Sequence, residues 1–350
     1  MNINRYAENP IITPETVHSS RKDFEVIGTF NAGVTSYNGK TILILRVAER
    51  PINNDNGSIM IPFLDDALNL KVKTIKTDDY NYDFSDSRAI HKKGSSSAFE
   101  YLTSISHLRL ARSTDGKHFK IDDKPFIFPH NKYESFGIED PRVTKINDSY
   151  YIAYSSVSRF GIVVMLSKTD DFKEVEDLGI IFATENKDVA LFPEKIDGKY
   201  YALNRPISRS IGNPEIWISE SVDLLHWGNH KILIETRDEK WDCKKIGAGS
   251  PPLKTEFGWL EFYHGVDENE RYCMGALLLD INDPCKIIGR SSEPILYPTT
   301  GYERKGFFGN VVFSCGTLLK DGIIIMYYGV SDDSIAYAQL ELKDVLDSLK

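Results

Sequence analysis

DPRVTKINDSYYIAYSSVSRFGIVVMLSKTDDF, residues 140–172, is the stretch whose reading decides the fold. It opens on a Pro turn and runs through alternating apolar and polar residues to Asn147-Asp148. A second run rich in Tyr and Ile follows, then a third run of Val, Met and Leu, then Ser/Asp before Phe172. Period-two alternation with aromatic and β-branched residues fits strands, and Asn-Asp or Asp-Gly between them fits hairpin turns.

Working outward, the same unit recurs. It returns as FPEKIDGKYYALNRP…EIWISESVDLLHW (192–227), SPPLKTEFGWLEFYHGV…YCMGALLLDINDP (250–284) and NVVFSCGTLLKDGIIIMYYGVSDDSIAYAQLEL (310–342). A fifth copy begins at NAGVTSYNGKTILILRVAE (31–49) and resumes at SISHLRLARSTDGKHF (104–119). The linkers NPIITP (9–14), KPFIFP (124–129) and EPILYP (293–298) repeat too. Units of roughly 50 residues with three or four strands each point to propeller blades. The expected fold is therefore all-β, a five-bladed β-propeller with a central funnel-shaped site, in one domain over 1–350. A β-sandwich or a pair of β domains is the alternative, but neither gives a reason to reuse the linker. The polar, Gly/Ser-rich insertion at about 51–98 reads as a long loop over one mouth. The one helix candidate is DVLDSLK at the end.

Composition narrows the function. The chain is 41% hydrophobic and 27% charged, as in soluble globular proteins. Its net charge of −9 argues against a nucleic-acid surface. The longest apolar runs are strand-length, so no membrane span is expected. The N-terminus carries no secretory pattern, and four scattered cysteines suggest neither a disulfide framework nor a zinc site. A cytoplasmic location and no metal are the resulting expectations.

In a propeller the first strand of each unit lines the axis. Those strand starts are polar here: Asn31, Glu139-Asp140-Pro141-Arg142, Asn186-Lys187-Asp188, Ser250 and Asn310. Second strands add Arg46, Arg205 and His264, and the last unit adds Asp332 and Asp333. Polar groups converging on one axis indicate a site, since a packed axis would be apolar. Asp140 is the candidate acid, because burial beside Glu139 would raise its proton affinity. The bland alternative is a turn-forming Asp-Pro with Arg142 as its ion partner. Lys187, Arg205, Lys244, Lys245 and His264 are the candidate anion-binding set, though each alone reads as a solvated or ion-paired side chain. Trp259, Phe262, Phe307 and Phe308 are candidates for stacking on sugar rings, and Arg88 and His91 for reaching the substrate from the insertion.

FNAGV (30–34), RVAER (46–50), GIEDPR (137–142), NKDVALFPEK (186–195), LNRP (203–206), GAGSPP (247–252), YHGV (263–266) and YYGVSDD (327–333) resemble glycoside hydrolase family 130 over nearly the whole chain. The resemblance implies an inverting β-mannoside phosphorylase, a transferase-type enzyme that releases α-mannose 1-phosphate. It implies inorganic phosphate as co-substrate, no further cofactor, and β-1,2-linked mannooligosaccharides as the nearest substrate class. It places the catalytic acid on Asp140, acting through the sugar 3-hydroxyl. It places phosphate on Lys187, Arg205 and Lys245, with His264 nearby and Lys244 as the alternative register. It places sugar contacts on Asn31, Arg46, Asp188 and Asp332. Some members are β-1,2-mannosidases that use water, which would need a base such as Glu139, Asp188 or Glu194. A non-catalytic sugar-binding propeller is the lower alternative. Relatives often assemble, so a homo-oligomer stays open, although no interface signature is visible.

Overall fold

The computed structural model describes residues 3–95, 99–207 and 210–349. Its strands form five main antiparallel sheets, each built from strands close in sequence. From inner to outer edge, the first sheet comprises Phe24–Tyr37, Lys40–Pro51, Ile105–Ser113 and Lys120–Ile121. The second comprises Ile138–Ile146, Ser149–Ser158, Gly161–Thr169 and Glu176–Phe182, and the third Asn186–Leu191, Tyr200–Pro206, Ile216–Ser221 and Trp227–Ile234. The fourth comprises Lys245–Ala248, Gly258–Val266, Tyr272–Leu279 and Ile287–Arg290, with Leu253–Thr255 paired onto Gly258–Val266. The fifth comprises Val312–Lys320, Ile323–Val330 and Ser334–Glu341, and its outer strand is Asn4–Arg5 from the other end of the chain. That pairing, Asn4–Arg5 against Ala338 and Gln339, ties the two ends of the chain together, and Arg5 also donates to Glu303 at 2.7 Å.

Both faces of these sheets are buried, and the period-two alternation divides the side chains between two neighbours. On Gly161–Thr169, Val163 and Met165 pack toward the first sheet, and Val164 and Leu166 pack toward the third. On Gly258–Val266, Trp259 and Tyr263 join the third sheet, and Leu260 and Phe262 join the fifth. Val34, Leu43 and Leu45 of the first sheet meet Tyr327, Ile335 and Tyr337 of the fifth. Each sheet therefore packs against the next, and the last packs against the first. Apolar burial of this kind is the dominant favourable contribution to folding.

Four of the five inner strands share one irregularity. A β-bulge lies between Phe30 and Gly33, Glu139 and Arg142, Lys187 and Ala190, and Phe313 and Gly316. In three of these the first extra residue is Asn31, Asp140 or Asp188, with φ of 51°, 51° and 56°. Asn and Asp tolerate this left-handed region better than other side chains. The bulge turns that polar side chain out of the ladder, while the next residue (Ala32, Pro141 or Val189) stays buried at the strand.

The insertion is not a loop. Ser58–Leu64 pairs with Leu70–Lys76, and Tyr82–Asp83, Ala89–Lys92 and Tyr101–Leu102 form a small sheet. Ile61, Ile75 and Ile90 give it an apolar cluster of its own. Its high polar content lies in its turns and in Leu70–Lys76, where Lys71, Lys73, Thr74 and Lys76 interrupt the apolar positions. Its final residues, 96–98, lie outside the described residues. At the C-terminus, Leu342–Asp347 is the expected short helix.

Candidate active site

One pocket of about 370 Å³ opens where the inner strands meet. That volume suits a small ligand. All nine singled-out residues line it: Asn31, Arg46, Asp140, Lys187, Asp188, Arg205, Lys245, His264 and Asp332. Arg88, His91 and Phe307 line it as well.

Asp140 is held from one side. Its Oδ1 accepts hydrogen bonds from Asn31 Nδ2 at 2.9 Å and Arg46 Nη1 at 3.0 Å. Among the described residues no hydrogen bond reaches Oδ2, which leaves one oxygen for a ligand hydroxyl. The bland alternative, with Arg142 as the ion partner of Asp140, does not hold: Arg142 donates to the Asp140 carbonyl, and its guanidinium binds Asp188 at 3.0 Å. The bulge turns the Asp140 side chain away from its neighbour in sequence and toward Arg46.

Arg46 also reaches Glu139 at 2.8 Å and lies 4.6 Å from the centre of the Phe30 ring. Lys187 donates to the other Glu139 oxygen at 2.9 Å. Burial alone would push the Glu139 carboxyl up, but Arg46 and Lys187 hold it down at about 2. Burial pushes the Asp332 carboxyl up to about 6; Arg46 opposes this and the Asp140 charge adds to it. A proton on Asp332 therefore exchanges close to neutral pH.

Asp188 sits between two arginines, with Oδ1 on Arg142 and Oδ2 on Arg205 Nε at 2.6 Å. Burial opposes its charge, but the paired arginines keep it firmly ionised. Both oxygens are thus engaged by protein. His264 Nε2 lies 3.7 Å from the same carboxylate, and burial lowers this imidazole to about 3, so it is neutral. Its Nδ1 is buried without a partner among the described residues. Lys245 has no ion pair or hydrogen bond among the described residues; its ammonium lies 4.7 Å from the centre of the Tyr272 ring. Burial, then Arg205, lowers it to about 8. Gly247 is required here: a Cβ at that position would collide with Asp188 and His264.

Other candidates lie elsewhere. Lys244 pairs with Glu268 at the surface, whereas Lys245 lines the pocket. Glu194 pairs with Lys254, also at the surface. Trp259 and Phe262 are fully buried in the core, because strand alternation points them into the neighbouring sheets. Asn186 bonds to Asn204, and Ser250 to Thr317. Sequence reasoning missed Tyr272, Phe30, Phe313 and Asp86, which also line the pocket. No local pattern separates these rings from the many core aromatics. Among the described residues no His/Cys/Asp/Glu group could hold a metal.

The family model for glycoside hydrolase family 130, described as beta-1,4-mannooligosaccharide phosphorylase, matches residues 98–350. A beta-1,2-mannobiose phosphorylase of Listeria innocua serovar 6a is 50% identical over 352 residues, covering 100% of this chain and 99% of that protein. A 1,2-beta-oligomannan phosphorylase of a Thermoanaerobacter species is 42% identical over 249 residues, covering 70% of this chain and 82% of that protein. A solved complex of beta-1,2-mannobiose phosphorylase from Listeria innocua with beta-1,2-mannobiose superposes with a TM-score of 0.97 at 49% identity, over 100% of this chain and 99% of that one. With the family model matching residues 98–350 and the Listeria innocua relative covering the whole chain, the protein belongs to glycoside hydrolase family 130.

Proposed function

We propose that the five sheets are the blades of a five-bladed β-propeller in one domain, and that the pocket on its axis carries out phosphorolysis of β-1,2-linked mannooligosaccharides. The circuit of packed sheets and the outer strand Asn4–Arg5 on the last of them support the propeller. The linkage follows the two relatives named above rather than the family description, because the first of them matches the whole chain.

The observation that carries the reaction is Lys245, a half-buried cation with no ion pair among the described residues, beside Arg205 and the neutral His264. Arg205 is oriented by Asp188, so its remaining N–H groups can bind phosphate, and Lys187 lies one strand away. Phosphate attacks C1 of the mannosyl unit and the C1–O bond to the acceptor breaks with inversion. Asp140 gives its proton to the 3-hydroxyl, which passes one to the leaving oxygen. The products are α-mannose 1-phosphate and a shortened acceptor. Asn31 and Arg46 fix Asp140, and Arg46 and Asp332 face the same sugar. The water-using reading has less support, because Glu139 and Asp188 are each held by two cations and Glu194 is outside the pocket. The reaction needs no cofactor. Four cysteines without a disulfide support a reducing, cytoplasmic location, and among the described residues no helix is long and apolar enough to cross a membrane.

Incubation with β-1,2-mannobiose, with and without phosphate, tests the reading. Mannose 1-phosphate formed only with phosphate is the expected result. No mannose 1-phosphate from any β-mannoside would sink it, and free mannose at equal rates without phosphate would favour hydrolysis.

A further inference from the structure

The bulge that aims Asp140 into the pocket interrupts the ladder between Glu139 and Arg142, so Asp140 has no register partner on Ser149–Ser158. A buried carbonyl left unpaired there would be costly. Arg142, two residues on and 2% exposed, donates to that carbonyl through Nη1 at 3.0 Å. The same guanidinium goes further. Its Nη2 donates to Asp188 Oδ1 at 3.0 Å and to the Ala248 carbonyl at 2.9 Å, and its Nε donates to the Gly249 carbonyl at 2.8 Å.

One side chain thus ties together the inner strands of the second, third and fourth sheets. Each attachment bears on a different part of the site. Asp140 carries the acid. Asp188 orients Arg205 through its other oxygen at 2.6 Å. Ala248 ends the short strand that begins with Lys245. Arg142 itself does not line the pocket. A buried ion pair is weak evidence for stability, because apolar side chains of similar volume often serve as well. A planar fork with fixed angles between its donors is suited instead to setting distances.

We infer that Arg142 is a positioning residue, which sets the relation between the acid on Asp140 and the phosphate cations Arg205 and Lys245 without touching either substrate. The inference rests on the phosphorylase reading. Phosphate must attack C1 while the leaving oxygen on the opposite side receives its proton, so the two halves of the site have to be held in register. A misplacement of about 1 Å costs up to about a hundredfold in rate.

Arg142→Lys keeps the charge and loses the fork. It should raise the KM for phosphate roughly tenfold and lower kcat at saturating phosphate by about ten- to a hundredfold, with the KM for β-1,2-mannobiose unchanged. A merely structural role would lower Tm and the active fraction but leave both KM values alone, and that result overturns the inference. A higher KM for phosphate at unchanged kcat also overturns it, because Arg142 would then serve Asp188 alone. A charge-balanced comparison covers the case in which the lysine variant does not fold: Asp188→Asn alone against Asp188→Asn with Arg142→Gln. A kcat lower in the double variant by roughly tenfold supports the inference, and equal kcat overturns it. Calorimetric titration with inorganic phosphate reads the anion half of the site independently of turnover. Weaker binding by Arg142→Lys, by roughly tenfold, supports the inference even if wild type releases no mannose 1-phosphate, and equal affinity in the two proteins overturns it while leaving phosphorolysis intact.

Discussion

Replacing Lys245 by Met should make the phosphate-free protein more stable and nearly abolish its response to phosphate. The Lys245 ammonium is lowered from the ordinary 10.5 to about 8, first by burial and then by Arg205. Keeping it charged at neutral pH therefore costs about 3 kcal/mol. The sign follows from the lowered value. The unfolded chain binds this proton more tightly, so the cost is fully present below pH 8 and fades as pH rises toward 10.5. Methionine keeps the apolar stem and removes the charge. The phosphate-free Tm should rise by roughly 2–5 °C for a chain of this size. The same charge is what a bound phosphate would neutralise, and truncating one partner of a buried charge pair costs about 2–5 kcal/mol. A KM for phosphate higher by on the order of a hundredfold follows. Scanning calorimetry separates the two effects. At 100 times its Kd, phosphate should stabilise wild type by about 2.7 kcal/mol, and the variant at that concentration by only about 0.4 kcal/mol. Equal stabilisation of both proteins, or a lower phosphate-free Tm in the variant, would refute the assignment of Lys245 to phosphate.

Asp140→Asn should lower kcat by about 10²–10⁴ while leaving the circular dichroism spectrum unchanged, since an amide oxygen can still accept from Asn31 and Arg46; wild-type turnover would remove Asp140 from the chemistry. Asp332→Asn should delete an ionisation near pH 6 from the kcat/KM profile, because burial among carboxylates puts that group there; if the ionisation persists, it belongs elsewhere. Glu139 is lowered to about 2, chiefly against its burial, by Arg46 and Lys187. Its contribution of about 3 kcal/mol is present above pH 4.5 and lost as pH falls toward 2. Urea midpoints of Glu139→Gln should therefore fall less steeply with acid than those of wild type, and parallel curves would show that the ion pairs contribute nothing.

The strand repeats were legible because each sheet is buried on two sides. Gly161–Thr169 and Gly258–Val266 place apolar side chains toward both neighbours, so each reads as a near-continuous apolar run bounded by turns. The insertion was misread for the converse reason: strands with a solvated face, such as Leu70–Lys76, carry Lys and Thr between their apolar positions. Asn31, Asp140 and Asp188 stood out as polar residues at strand starts, and the shared bulge explains why those residue types occur there.

By itself, then, the sequence determined the repeat, the all-β architecture, the family motifs and the polar residues at the heart of the pocket, though not its rings, because these depend on local alternation and turn chemistry. Only the tertiary structure decided the partners: Arg46 rather than Arg142 on Asp140, Arg142 and Arg205 on Asp188, and Lys245 rather than Lys244 in the pocket. The Arg46–Asp140 and Arg142–Asp188 pairs join strands of different sheets, separated by tens of residues and brought together by packing, while Arg205–Asp188 joins neighbouring strands of the third sheet. A charge in a sequence shows that a counter-charge is needed; which one supplies it depends on a few ångströms of three-dimensional distance.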